Sequence, residues 1–338
     1  MISYIILKGT TATAADPSVL DDMESALGKD RILWIDITME TGNELEYFEK
    51  FFKLDPYAIE DVTTGNQRPK IEDYEEYTFS VIKTPEKIDE NGASLKMEEL
   101  FVFHSKKWLI SIHKKKINIV DIVDKRVRVR GLSPFSKTPS TDLIYYLLLD
   151  NSVDSFYPIL YSWDDELDRL DEGAVSTIAR RKNRIVTVRE ISSKFSDIRA
   201  ELSELRNTIT PTRDILSNIM KGGVPFVQTG NLKNFRDIYD HTFQLIEMVD
   251  SYISRSSDIR SLYLNLMSAV TNEVLRLLTL VATIFLPLSL LASVFGTNFT
   301  SGINIPLTHL SFGFYIFVAI LGGLGLTLIL LFRRYGWI

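Results

Sequence analysis

The chain has 338 residues, 45% apolar and 24% charged, a composition suited to folding and a length that allows two domains or one domain with a further region. A net charge of −6 provides no basic surface for a general nucleic-acid partner. Cysteine is absent, which excludes disulfides and thiolate metal sites.

The opening run from Met1 to Lys8 is too short for a signal peptide and lacks a basic leader, so it reads as a first strand and places the bulk of the chain in the cytosol. Arg31 to Ile37 and Tyr77 to Ile82 are strand-like. Leu100 to Phe103 and Trp108 to Ile112 flank His104 to Lys107, which predicts a hairpin. With helical stretches such as Leu45 to Lys53 between them, these segments predict an α/β domain over 1–140.

From Ser140 onward the spacing is helical. Asp142 to Glu172 places apolar residues three and four apart and ends in an acidic run. A predicted turn near Gly173 leads into a helix opening with Arg180, Arg181, Lys182 and Arg184. An antiparallel pair over 141–228 would set acidic end beside basic start. The run then reads either as a mutually paired, solvated tip, which we favour, or as a cation-binding surface.

Between Asn231 and Phe295 lie 65 residues without glycine and with one proline, Pro287. Leu232, Phe235, Ile238, Leu245, Val249, Tyr252, Ile259, Leu266 and Val270 supply a heptad-like apolar stripe. Unbroken, such a helix is about 98 Å long at 1.5 Å per residue, and it needs further copies to bury its stripe. We therefore expect a stalk over 229–295 that continues into a first membrane span.

Leu277 to Phe295 is an uncharged run of 19 residues and Ser311 to Phe332 one of 22. Either can cross a hydrocarbon layer of about 30 Å as a helix, and helices this long and apolar all round are rare in the cores of soluble domains. Arg276 precedes the first span, Arg333 and Arg334 follow the second, and the loop 296–310 carries no charged residue. The positive-inside bias then predicts a multi-pass protein of the cell (inner or plasma) membrane. The second span is 311–332, the tail 333–338 and the N-terminus are cytoplasmic, and the loop is outside.

Catalytic signatures are missing: there is no phosphate-cradling glycine loop, no histidine pair at helical spacing and no nucleophile elbow. His104, His113, His241 and His309 are scattered, and no enzyme activity or organic cofactor is expected. Gly322, Gly323 and Gly325 read as sites of close helix packing. The basic residues from Lys114 to Lys116 and from Lys125 to Arg130 read as solvated surface.

The first span carries a stripe. Asn272, Thr279, Leu286 and Ser293 recur every seven residues, as do Leu275, Ala282, Ser289 and Gly296, while Leu280, Ile284, Leu288 and Leu291 point elsewhere. Small, mildly polar residues suit helix packing. They equally suit a pore without ionisable groups, where hydroxyls, amides and carbonyls meet an ion that keeps its water, and Mg²⁺ dehydrates reluctantly.

Several separated blocks resemble the CorA magnesium transporters. Leu54-Asp55-Pro56-Tyr57-Ala58-Ile59-Glu60-Asp61-Val62 and Gln67 to Tyr74 are similar to the family's N-terminal signature, and Asp142 to Tyr157 to the helix before its hairpin. Asn272 to Thr279 with Ala282 to Leu288 resembles its pore helix, and Tyr335-Gly336-Trp337 its ending. The resemblance implies a funnel-shaped homopentamer in a lipid bilayer, conducting hydrated Mg²⁺ or other divalent cations. It also implies that the signature Gly-Met-Asn closes the pore helix. Here that motif reads Gly296-Thr297-Asn298, with Gly296 and Asn298 as the expected contacts of the hydrated ion and Asn272 as a second ring. A regulatory Mg²⁺ site on the stalk would fall at Ser261, with Asp258 one turn earlier. Two other readings remain at this stage: a zinc transporter of the ZntB type in the same superfamily, and a membrane-anchored sensor that does not conduct.

Overall fold

Runs of consecutive apolar residues in the central strands build a seven-stranded sheet whose two faces are both buried. The computed structural model describes residues 2–8, 11–14, 27, 31–40, 44–87, 95–132, 140–179, 184–296 and 312–336. These fall into two units, one of residues 1–175 and 181–260, the other of 176–180 and 261–338.

The sheet belongs to the first unit. Its strands are β1 (Ile2–Lys8), β2 (Thr11–Ala14), β3 (Arg31–Thr38), β4 (Lys70–Asp73), β5 (Thr78–Lys87), β6 (Leu95–His104) and β7 (Trp108–His113), in the order β2-β1-β3-β7-β6-β5-β4. Among these strands β3 and β7 pair in parallel and the other neighbours antiparallel. The expected hairpin is present, with His104 opposite Leu109. Because side chains alternate along a strand, Leu33, Ile35 and Ile37 of β3 face one cluster and Ile32 and Trp34 the other. The first cluster takes Phe48 and Phe52 from α1 (Glu44–Phe52) and Ala58 and Val62 from α2 (Pro56–Thr64). The second takes α3 (Asn118–Arg130), α4 (Thr141–Asp154), α5 (Tyr157–Ala179), α6 (Arg184–Met220) and the early turns of α7 (Leu232–Gly296).

Local chemistry explains the segment Leu54 to Tyr74. Asp55 caps α2 by accepting from Tyr57 N at 2.8 Å, and Pro56 occupies the first turn, where no N–H is missed. At the other end Gly65 turns with φ +70°, which glycine tolerates, and Lys114 Nζ donates to the carbonyls of Thr63 at 2.8 Å and Thr64 at 3.1 Å. The Glu99 carboxylate accepts from the backbone N–H groups of Asn66 and Gln67 at 2.8 and 2.6 Å. Lys70 bridges Asp61 and Glu72 at 2.6 and 2.7 Å.

Asp142 is fully buried at the start of α4, where a carboxylate must be paired. It accepts from the Ser140 hydroxyl, from Gln228 N at 2.8 Å and from Asn231 Nδ2 at 3.0 Å. This one side chain ties α4 to the 3₁₀ turn Thr229–Asn231, which leads directly into α7.

Two sequence expectations are corrected here. Asp142 to Glu172 is not one helix. Tyr157 precedes Pro158, and the chain breaks at Ser155 and Phe156 so that Pro158 falls in the first turn of α5. Nor is there a turn at Gly173: α5 runs through it, at a helix-propensity cost of about 1 kcal/mol. Among the described residues the acidic run has other partners. Arg255 of α7 donates to Asp164 at 2.8 Å and to Asp168, while Glu166 lies 3.8 Å from Lys194 of α6. Arg180, Arg181 and Lys182 lie outside the described residues.

At the end of α4, Asp150 is half-buried among Asp154, His241, Arg126 and Asp237. Burial first, and then the Asp154 charge, pushes its carboxyl up from 3.8 to about 6, against the opposing pull of His241 and Arg126. A raised folded-state value means that Asp150 supports folding when protonated and that this support is lost as pH rises through about 6. Asp150→Asn should therefore stabilise the protein at pH 7.5 by about 1–2 kcal/mol, with the gain fading toward pH 5. Thermal unfolding of both proteins at the two pH values checks this, and a gain that is equal at both would contradict it.

In the second unit, α7 continues to Gly296 and α8 spans Gly313–Arg334. Both are long and apolar enough to cross a membrane, and little of their apolar surface is covered by the chain itself.

Candidate ion pathway

The membrane part of α7 has two opposite faces. Leu280 is 5% exposed, and Ile284, Leu288, Leu291 and Phe295 are partly covered. Phe295 meets Phe317 of α8 with ring centroids 4.6 Å apart, and a methyl placed on Gly325 of α8 would sit 3.7 Å from Leu288 Cδ1. This stripe therefore packs on the second span, and Gly325 lets the two helices approach. At about 100° per residue, the stripe through Asn272, Leu275, Thr279, Leu286, Ser289 and Ser293 is centred about half a turn away. Those six residues are exposed, Leu286 to 68%, and Ala282 is partly covered.

Side-chain hydrogen bonds set the polarity of that face. The Thr279 hydroxyl donates to Leu275 O at 2.8 Å, and the neighbouring Thr283 hydroxyl to Thr279 O at 2.7 Å. Each hydroxyl hydrogen is spent on the helix's own backbone, which leaves oxygen lone pairs as the outward group. Such a surface offers acceptors and few donors. It suits water polarised by a cation, whose hydrogens point away from the ion. Pro287 contributes no N–H, so the Thr283 carbonyl loses its helical donor beside Leu286.

The lower end of the stripe opens into a cleft of about 430 Å³ lined by Asn272, Leu275, Arg276, Thr279, Tyr335 and Gly336. Arg276 Nη2 donates to Gly336 O at 3.1 Å across it. Sequence reasoning missed this contact. Its signal was a glycine two residues past Arg334, where helix ends favour a left-handed turn.

Gly296 is the last residue of α7 and is exposed. Thr297, Asn298 and His309 lie outside the described residues. Asp258 is exposed on α7 in the first unit, and among the described residues no three His, Asp or Glu side chains come together to hold a metal. The described histidines belong to packing in the first unit. His104 is buried 3.1 Å from Thr141 Oγ1, and burial holds its imidazole down at about 3 and hence neutral. His113 lies 3.2 Å from Asp36, and His241 3.6 Å from Asp154.

A family model described as CorA-like Mg²⁺ transporter protein matches residues 29–334. The chain belongs to the CorA family. The family's members are transporters and not enzymes. The cobalt/magnesium transport protein CorA of Thermotoga maritima is 30% identical over 307 residues, covering 90% of this chain and 83% of the relative. The complete structure of the CorA magnesium transporter from Methanocaldococcus jannaschii superposes with a TM-score of 0.81 at 22% identity, over 99% of this chain and 98% of that one. It shares the α/β domain, the long helix and the two C-terminal apolar helices. The zinc transport protein ZntB of Pectobacterium carotovorum is 30% identical over 145 residues, 42% of each chain.

Close approach at Gly325 makes a prediction. Gly325→Ala adds a methyl at ordinary contact distance and should be tolerated. Gly325→Ile forces the spans apart and should cost about 1–3 kcal/mol, read as an earlier melt of the full-length protein in detergent. Equal melting of the two variants would place the α7–α8 contact elsewhere.

Proposed function

We propose that this CorA member is a channel-type transporter carrying hydrated divalent cations, Mg²⁺ foremost, across the cell membrane, with several copies turning the polar face of α7 toward a common axis. One observation carries the reading: the uncharged, acceptor-rich stripe from Asn272 to Ser293 lies opposite the face that α8 covers, and the described residues leave most of it exposed. Thr, Ser and Asn side chains are costly to leave against lipid and useful around a water-filled path. Five copies are the number we infer from the family resemblance. Arg276, Arg333 and Arg334 flank the two spans, and the positive-inside bias supports a cytoplasmic location for both termini.

In this reading Leu286 makes an apolar constriction, Thr279, Ala282, Ser289 and Ser293 line the path with Asn272 at its inner end, and Gly296, Thr297 and Asn298 form the outer mouth. The Asn298 amide oxygen accepts from the hydrogens of ion-bound water, favouring a hydrated dication without stripping its shell. No acidic residue between Gly296 and Leu310 competes for this role. The similarity to ZntB makes Zn²⁺ the second candidate. The stripe holds no thiolate or imidazole, the ligands that zinc prefers, which supports Mg²⁺. For a regulatory Mg²⁺, Asp258 is an exposed carboxylate, and among the described residues of one chain no group of three His, Asp or Glu side chains joins it as a donor set.

Uptake into vesicles, with Mg²⁺, Co²⁺, Ni²⁺ and Zn²⁺ in parallel, tests this. Mg²⁺ should enter, and Asn298→Ala should lower the rate by about tenfold or more, as losing about 1.4 kcal/mol of ion stabilisation would. Single cysteines at Thr279 or Ser289 should make uptake sensitive to water-soluble thiol reagents, and cysteines at Leu280 or Leu291 should not. Equal sensitivity on both faces would remove the pore assignment, and uptake of Zn²⁺ alone would transfer it to the zinc reading.

A further inference from the structure

The polar stripe does not end at Asn272. Asn265 stands seven residues before it, and Ser268 and Ser261 stand seven and fourteen before Leu275. Both seven-residue repeats therefore run on toward the N-terminal side of Arg276. These residues belong to the second unit, and all are exposed. Tyr263 is buried, Leu266 and Val270 are partly covered, and at about 100° per residue the three fall on the opposite side of the helix. The two faces of the membrane part thus stay in phase over residues 261–272.

Two features separate this face from an ordinary wet helix surface. Ser261 to Asn272 is a run of twelve residues without a charge, in a chain that is 24% charged, although most of the twelve are exposed. A helix face that meets only bulk water ordinarily carries charges. The next charge, Glu273, falls about 100° round from Asn272. The chemistry also matches the membrane stripe. The Ser268 hydroxyl donates to Leu264 O and the Thr271 hydroxyl to Met267 O, both at 2.9 Å, as Thr279 does to Leu275 O. Oxygen lone pairs are again the outward group. Among the described residues no hydrogen bond holds the side-chain amides of Asn265 and Asn272, which lie on one line about 10 Å apart along the axis. We propose that Asn265 is a further selectivity residue, whose amide oxygen, with the Ser268 hydroxyl, extends the acceptor lining for the hydrated cation beyond Asn272. The proposal rests on the polar stripe being the conduction path. Water bound to the ion then passes from Asn272 to Asn265 without meeting a carboxylate, so a dication is guided and not held.

The experiment uses full-length protein in vesicles. Asn265→Leu should lower the maximal Mg²⁺ uptake about fivefold, the scale of one lost hydrogen bond. Asn265→Asp keeps the shape and adds a charge. It should lower the half-saturating Mg²⁺ concentration and the maximal rate together, because an ion held more tightly leaves more slowly. A residue that only supports the helix would not move half-saturation. In the Cys-free background, a cationic water-soluble thiol reagent should slow uptake through Asn265→Cys and not through Glu273→Cys. A transport-independent arm places spin labels singly at the same two positions, where copy-to-copy distances should be shorter at 265 than at 273. Parent-like uptake by Asn265→Leu, unchanged half-saturation in Asn265→Asp, equal reagent effects at the two positions, or shorter distances at 273 would each overturn the assignment. If the parent takes up no cation, or cysteines at Thr279 and Ser289 are insensitive to the reagent, the conduction reading fails and the role of Asn265 with it. If those two positions are sensitive and Asn265→Cys is not, the extension alone fails.

Discussion

A helix that crosses hydrocarbon satisfies its backbone within itself, so its side chains alone decide what each face can meet. In α7 that rule produces two answers half a turn apart. Leu280, Ile284, Leu288, Leu291 and Phe295 offer only carbon and pack on α8, with Gly325 allowing contact at Leu288. Asn272, Thr279, Ser289 and Ser293 offer oxygen, and oxygen facing lipid is a poor use of a membrane helix. The remainder of the second unit follows from keeping these faces apart. Among the described residues, one span lies behind α7, most of the other face is exposed, and the C-terminal turn meets α7 at the Arg276 end.

The first unit obeys a similar economy in water. Both sheet faces are apolar and both are covered, so polar groups inside it must be paired. Asp142 is the clearest case, with its carboxylate filled by donors from Ser140, Gln228 and Asn231. Asp150 is the opposite case, a half-buried carboxyl among like charges that the Arg126 and His241 charges only partly offset. The block from Leu54 to Tyr74, which carries the family resemblance, consists largely of residues that cap α2 and fasten the sheet edge through Glu99, Lys114 and Lys70. Those side chains fasten this local fold, whatever else the resemblance implies.

Much of this was legible from residue order because the strongest signals were long. Sixty-five residues free of glycine read as one helix, and α7 is one helix of 65 residues. The strand-like runs of Arg31 to Ile37 and Trp108 to Ile112 are strands, and His104 to Lys107 marks the connection of a hairpin. Short-range signals were weaker. Gly173 looked like a stop but costs a helix little, whereas Pro158, which has no N–H and crowds the carbonyl of Asp154 four residues back, imposed the real break at Ser155 and Phe156. The acidic run from Asp164 suggested the basic start of the next helix as its partner, a pairing that falls outside the described residues; what the run does meet is Arg255, about ninety residues on, which holds Asp164 and Asp168. No local pattern predicts such a pair, because it depends on how α5 and α7 register side by side. The hydrogen bond from Arg276 to Gly336 O is similar. Its glycine was visible, but its target was not.

The central claim is that the oxygen-bearing face of α7 turns toward a shared axis when copies assemble. Spin labels placed singly at Ser289 or at Leu291 of the Cys-free chain, in reconstituted full-length protein, measure it through distances between equivalent positions of neighbouring copies. The account predicts shorter copy-to-copy distances at Ser289 than at Leu291. Shorter distances at Leu291, or equal distances at the two positions, would contradict it.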